Sequence, residues 1–313
     1  MVVTILGAAL AVVGGTETAG GHPEVLATKH SGGICTATLV HPRWALTAAH
    51  CWDAVDLAAV AEIPGRANPS DVWIGTGGGV GIDAVYIHPE YVSFGFSPNS
   101  VADDVAPVHD LALLHLSEPL PGTPVQLNEA PLDDSWLGVR ATFVGYGITQ
   151  FEGSGSGTKR EVELAIVEVD DSVLEAFHPD GALCQGDSGG PGLLEVNGRW
   201  VQLSAASFGR DRQCIVGVNT RIDRYIDWIR SVMGSDPLET VAVVPPPPEP
   251  MDWDTASDTG STSPPVVTAA ASRCDSAATP GGALGALALL GLSALRRRGR
   301  CYNRRTRRSG SPR

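Results

Sequence analysis

From residue 12 to about 233 the chain is cut into short apolar stretches by Gly, Pro, Asn and Asp turns, and this pattern narrows the accessible folds most. Residues 24–28, 36–40, 72–74, 84–87, 111–116, 141–144 and 161–169 read as strands of an all-β barrel or sandwich. Near the end of this region Ile222, Ile226, Ile229 and Met233 recur at helical spacing, which predicts one C-terminal helix. A length of 313 residues allows one large or two small domains at roughly 100–200 residues each. Aromatics make up only 6%, so the core must be largely aliphatic, and the 18% of charged residues argues against a charge-rich disordered chain.

Three segments carry chemistry. They are Leu46-Thr47-Ala48-Ala49-His50-Cys51, Asp110-Leu111-Ala112-Leu113-Leu114 and Cys184-Gln185-Gly186-Asp187-Ser188-Gly189-Gly190-Pro191. Singly they also fit an ordinary core histidine, a strand start and a Gly-rich turn. Together, in the order His, Asp, Ser, they resemble the trypsin/chymotrypsin-like serine peptidases. The resemblance spans residues 12–233, about 70% of the chain. It implies two antiparallel six-stranded β-barrels followed by the C-terminal helix.

A serine hydroxyl is a weak nucleophile at neutral pH and needs a base beside it. By the resemblance, His50 is that base, Asp110 holds its tautomer, and Ser188 is the nucleophile. The same pattern assigns the oxyanion hole to the N–H groups of Gly186 and Ser188. It also implies the disulfides Cys35–Cys51 and Cys184–Cys214, and with them an oxidising compartment; four free thiols are the alternative. A further bridge common in the family is missing, and Ala141 and Leu194 stand near its positions. Ile87-His88-Pro89-Glu90-Tyr91 and Gly145-Tyr146-Gly147 resemble smaller family segments, with Tyr146 replacing a tryptophan.

Val12-Val13-Gly14-Gly15 resembles the family's mature N-terminus, whose freed amino group pairs with the aspartate before the nucleophile, here Asp187. A plain strand and turn is the alternative. Ala182, followed by Leu183, falls at the base of the implied specificity pocket, and Gly209 and Gly217 at its walls. Ser207-Phe208-Gly209 would bind substrate backbone as an added strand. With Ala182 in place of an acid, the expected P1 residue is apolar, with Leu183 limiting its size. Asp180 or Asp211 reaching the pocket would restore a basic preference. The long segment 92–109, with Asp103 and Asp104, has no clear ligand spacing and reads as a solvated loop; no metal or cofactor is expected.

The ends differ from the body. Residues 1–11 are apolar and finish in Ala9-Leu10-Ala11, a small-x-small pattern of a signal peptide, though without a basic start; a buried strand is the alternative. If signal peptidase cuts after Ala11, it creates the Val12 terminus directly. Residues 234–273, with VVPPPPEP and DTASDTGSTSPP, read as a disordered stalk. In 274–300, Cys274, the uncharged run 280–295 and Arg296-Arg297-Arg298 predict a single apolar transmembrane helix with a basic stop. Together they resemble the tripartite MYXO-CTERM sorting signal of some Gram-negative bacteria; an unprocessed span is the alternative. The basic tail 301–313, with Cys301, departs from that signal.

The net charge of −13 conceals this division. The last 18 residues hold nine Arg and no acid, which leaves 13 basic against 35 acidic residues, a net of −22, in the first 295. An acidic body with a basic tip is not a nucleic-acid-binding surface. The resulting expectation is a monomeric serine endopeptidase acting on protein or peptide substrates, secreted or anchored at the bacterial surface and attached to the membrane through its C-terminal segment before processing. The rival is a non-catalytic homologue serving as a surface binding module. An esterase of another fold is disfavoured, because Gly-Asp-Ser-Gly-Gly is not a nucleophile elbow and the triad order differs.

Overall fold

The turn residues divide the chain into fifteen strands among the described residues, which in this computed structural model are 12–30, 33–53, 73–74, 79–93, 109–149, 153–209 and 214–248. In chain order they are β1 (Thr16–Glu17), β2 (Val25–His30), β3 (Gly33–His41), β4 (Trp44–Thr47), β5 (Trp73–Ile74), β6 (Val80–Ile87), β7 (Ala112–Leu116) and β8 (Gln126–Asn128). There follow β9 (Arg140–Gly145), β10 (Arg160–Val169), β11 (Val173–Phe177), β12 (Pro191–Val196), β13 (Arg199–Gly209), β14 (Gly217–Arg221) and β15 (Thr240–Val241). The helix α1 covers Ile226–Met233. Ile222 stays outside it, in a buried turn where the Tyr225 N–H donates to the Ile222 carbonyl.

Strands β2-β3-β4-β7-β6-β5 form a closed six-stranded barrel. β3, β4 and β7 are buried on both faces over most of their length, which explains why they read as near-continuous apolar runs. Leu114 of β7 points into the barrel core with Leu39 and Ile82. Its neighbour Leu113 faces a second cluster with Leu46, Val144, Leu193 and Ile229. Period-two alternation therefore packs one strand into two cores. The second cluster joins the barrel to the other sheet and to α1.

The second sheet holds more strands than the six expected of a second antiparallel barrel. The second sheet has nine strands, in the order β12-β9-β10-β11-β14-β13-β8-β15 with β1 added on β10. β12 pairs with both β9 and β13, so six strands follow one another in a ring of antiparallel pairings. The departure is at β8, which pairs in parallel with both β13 and β15. An open strand edge leaves N–H and C=O groups unpaired; β8 covers the part of the β13 edge that β14 does not reach, and β15 in turn pairs with β8.

The body also runs past Met233. Val243 is buried, and its N–H donates to Asn128 Oδ1 at 3.1 Å. Ala141 is buried in the core of the second sheet and Leu194 packs against the same cluster, so apolar packing occupies the place of the missing bridge. The segments 1–11, 94–108 and 249–313, which hold the leader, the loop with Asp103 and Asp104, most of the stalk and the apolar run, lie outside the described residues.

Candidate active site

β4 and β7 are neighbours, with Thr47 opposite Ala112. The chain leaving β4 enters a short 3-10 turn, Ala49–Cys51, and the chain entering β7 passes through Asp110. Two adjacent strand ends thus bring His50 and Asp110 together. The Asp110 carboxylate receives both donors of its neighbour: the His50 backbone N–H at 2.9 Å on Oδ1, and Nδ1 at 2.7 Å facing Oδ2. Ser207 Oγ donates to Oδ2 as well, and Thr220 Oγ1 donates to the Asp110 carbonyl at 3.1 Å. Asp110 is only 1% exposed. Burial pushes its pKa up, but the bonds and charge of His50 and the bond from Ser207 outweigh that and hold the carboxyl below its usual range. With Nδ1–H donated to the carboxylate, Nε2 of a neutral His50 carries the lone pair.

Ser188 arrives from the second sheet, on the loop before β12, and is half-buried. The Thr36 N–H of β3 donates to its carbonyl at 2.8 Å. The Cys51 sulfur lies 3.9 Å from that carbonyl and 4.0 Å from His50 Nε2. Ser188 and His50 therefore border the same disulfide, Cys35–Cys51, which is formed, as is Cys184–Cys214. Gly189, at φ +81°, leaves no room for a side chain: a Cβ would collide with Thr47 and with the Thr36 carbonyl. Close approach of the serine loop to the histidine strand depends on that glycine.

Among the described residues no acceptor is found for the N–H of Gly186 or of Ser188. The loop is held instead through other groups. Thr36 Oγ1 donates to the Gly186 carbonyl at 2.8 Å and accepts from the Tyr146 N–H at 3.1 Å. Asp187 is fully buried, and its carboxylate accepts from the N–H groups of Gly147 and Cys184, each at 2.8 Å. Burial raises its pKa to about 7 despite those two bonds. The Gly145-Tyr146-Gly147 segment has a steric reason here. A Cβ on Gly147 would sit 2.6 Å from the Asp187 carboxylate, and one on Gly145 would collide with it.

The N-terminal segment docks nearby. Val12 is completely buried, and the Ala182 N–H donates to the Val13 carbonyl at 2.9 Å. Ala182 and Leu183 are both buried. The two expected wall glycines face each other in register, Gly209 opposite Gly217, and a Cβ on Gly217 would lie 3.3 Å from Leu183 Cδ1. Phe208 is half-buried opposite Val218, at the exposed end of β13. Asp180 is exposed, and Asp211 lies outside the described residues.

Sequence reasoning missed three side chains. Ser207 was singled out for its backbone, yet its hydroxyl binds Asp110. Thr36 and Thr220 carry no motif at all; only the pairing of distant strands brings them to the site.

Compared with known proteins, residues 12–229 match the trypsin family. The chain is 29% identical over 252 residues to chymotrypsin-like elastase family member 1 of Homo sapiens, covering 72% of this chain and 93% of that protein. The same protein of Canis lupus familiaris and of Macaca fascicularis is similar at the same identity, covering 93% and 90% of their lengths.

Proposed function

The chain belongs to the trypsin family, and from that premise we propose that His50, Asp110 and Ser188 are the catalytic triad of a serine endopeptidase with an apolar P1 preference. The observation that carries this is the double hold of Asp110 on His50, through backbone N–H and ring Nδ1. It presents Nε2 as the base for a serine on the facing loop.

In the proposed reaction, His50 Nε2 takes the Ser188 proton as Oγ attacks the peptide carbonyl. Asp110 stabilises the imidazolium without taking its proton. The N–H groups of Gly186 and Ser188 then receive the oxyanion. His50 returns the proton to the leaving amine, and water repeats the sequence on the acyl-enzyme.

Val12 is the proposed mature terminus. Its α-amino group, freed by cleavage after Ala11, would meet Asp187, a carboxylate buried with two N–H donors. A buried charge without a cation is costly, so pairing favours the ordered loop. Signal peptidase would create this terminus with no separate zymogen step.

Apolar P1 selection is supported by Ala182 in place of an acid and by Leu183 against Gly217. The elastase name of the similar proteins points the same way. Ser207, Phe208 and Gly209 would hold the substrate as an added strand. The working enzyme is read as a monomer, secreted or surface-anchored, with the 274–300 segment as its sorting signal and no nucleic-acid partner. A panel of peptides varied at P1 tests the substrate reading. Cleavage after small and medium apolar residues is expected, and cleavage mainly after Arg or Lys would overturn it.

A further inference from the structure

We propose that His88, Glu90 and His109 form a binding site for a zinc-class divalent ion on the surface beside α1. One ligand atom from each residue lies within 4.8 Å of the others. The three come from two places in the chain: the turn after β6, and the residue immediately before Asp110. The imidazole rings of His88 and His109 are stacked, centroids 5.0 Å apart and 17° from parallel.

The hydrogen bonds around His109 set its nitrogens apart. Nδ1 lies 3.1 Å from the hydroxyl of Tyr225, a residue buried to 3% exposure. A metal-ligating histidine characteristically gives its other ring N–H to an oxygen, which fixes the tautomer and turns the lone pair to the ion. Here that partner leaves Nε2 as the ligand atom, and Nε2 faces Glu90 Oε2 at 3.9 Å. Ligands about 2.0–2.1 Å from a tetrahedral zinc stand about 3.4 Å apart, so a small rotation of the exposed Glu90 side chain closes that gap. The His88 Nδ1 lone pair accepts the Glu90 N–H over a long 3.3 Å, a bond that the ion would have to replace.

The backbone frame is built before any ion arrives, and the stacked rings must turn out of parallel for both in-plane lone pairs to reach one ion. The His88 N–H donates to the Leu111 carbonyl at 3.0 Å, and the Tyr91 N–H to the His88 carbonyl at 2.9 Å. Trp228 and Tyr225 of the α1 region pack edge-on against the His88 ring. His109 is held at φ +56°, a left-handed backbone that a non-glycine residue adopts at a cost. Two imidazoles and a carboxylate with water in the fourth place match the ligand count of an open zinc site, and imidazole suits zinc over magnesium or calcium. Sequence spacing does not disclose this set, because eighteen residues lie between Glu90 and His109.

The test is a titration of the full chain with Zn2+ against a chromophoric chelator, repeated with Co2+ to read coordination from its visible absorption. One ion per chain is expected. Glu90→Gln, at an exposed position that the fold tolerates, and His88→Gln should each weaken binding. Tyr225→Phe should weaken it by roughly 10–100-fold, as loss of an outer-shell partner does. His50→Ala should leave it unchanged. No binding by the unaltered chain, or binding that survives both Glu90→Gln and His88→Gln, would overturn the site. The readout needs no turnover, so failure of this site and failure of the peptidase reading are separately visible.

Discussion

Ser207 Oγ donates to Asp110 Oδ2, the same carboxylate oxygen that faces His50 Nδ1. The strand proposed to bind substrate and the proposed triad therefore meet at one carboxylate oxygen. Ser207→Ala keeps the backbone that would bind substrate and removes one donor from the carboxylate. A hydrogen bond to a charged group contributes about 1.5–3 kcal/mol, so kcat should fall roughly tenfold or more. KM should change little. Steady-state kinetics on an apolar-P1 peptide check this split; a rise in KM alone would assign Ser207 to substrate binding only.

Asp110 and Asp187 should act oppositely on stability. The Asp110 pKa is lowered from 3.8, so its stabilisation is complete above that value and is lost only as pH falls through the lower folded one. Asp187 is raised from 3.8 to about 7, so the folded state holds an extra proton between those values. Ionising it costs stability as pH rises through that window. Chain left uncut before Val12 should melt lower at pH 8 than at pH 5. In chain cut after Ala11, the new α-amino group offsets the charge, and the difference should shrink. Thermal melts of the two forms at both pH values measure it; equal differences would separate Val12 from Asp187.

Gly217 and Leu183 set the size of the pocket in this account. Gly217→Val adds a side chain whose Cβ alone would lie 3.3 Å from Leu183 Cδ1. Cleavage after large apolar P1 residues should drop more than cleavage after Ala. A methylene-sized change in a pocket is worth about 1–3 kcal/mol, so the selectivity ratio should move by roughly tenfold or more. Leu183→Ala should shift it the other way. Ratios of kcat/KM across the peptide panel decide.

Asn128 anchors the chain beyond α1. It is fully buried, donates to the Ala130 carbonyl at 2.8 Å, and accepts from the N–H groups of Ala130 and Val243, each at 3.1 Å. Asn128→Ala leaves those groups unpaired inside the protein, at about 1–3 kcal/mol for each buried group. Urea unfolding should show a loss of that order. An unchanged midpoint would mean that the segment from 240 to 243 does not contribute to the folded body.

Much of the β-rich body was legible because its strands are short, apolar and bounded by turn residues. The run 161–169 lies within β10, and the isoleucines at 226 and 229 lie in α1. The order of strands was not legible. Nothing in Gln126–Asn128 announces a parallel partner, since the strands that β8 pairs with, β13 and β15, are distant in sequence. The segments around His50, Asp110 and Ser188 were legible as motifs, and close approach and positive φ demand the glycines beside Ser188. Ser207, Thr36 and Thr220 were not, since a hydroxyl carries no local sign of the distant group it will bind. The same holds for His88 and His109, which meet only after β6 and β7 pair.

The central claim is that Ser188 is a nucleophile activated by His50. Mass spectrometry of the mature protein after treatment with a fluorophosphonate tests it most directly. A single adduct on the peptide containing Ser188 is expected, absent in Ser188→Ala and strongly slowed in His50→Ala. Protein that begins at Val12 yet takes up no label, or carries it on another residue, would contradict the claim and favour a binding module built on the peptidase fold.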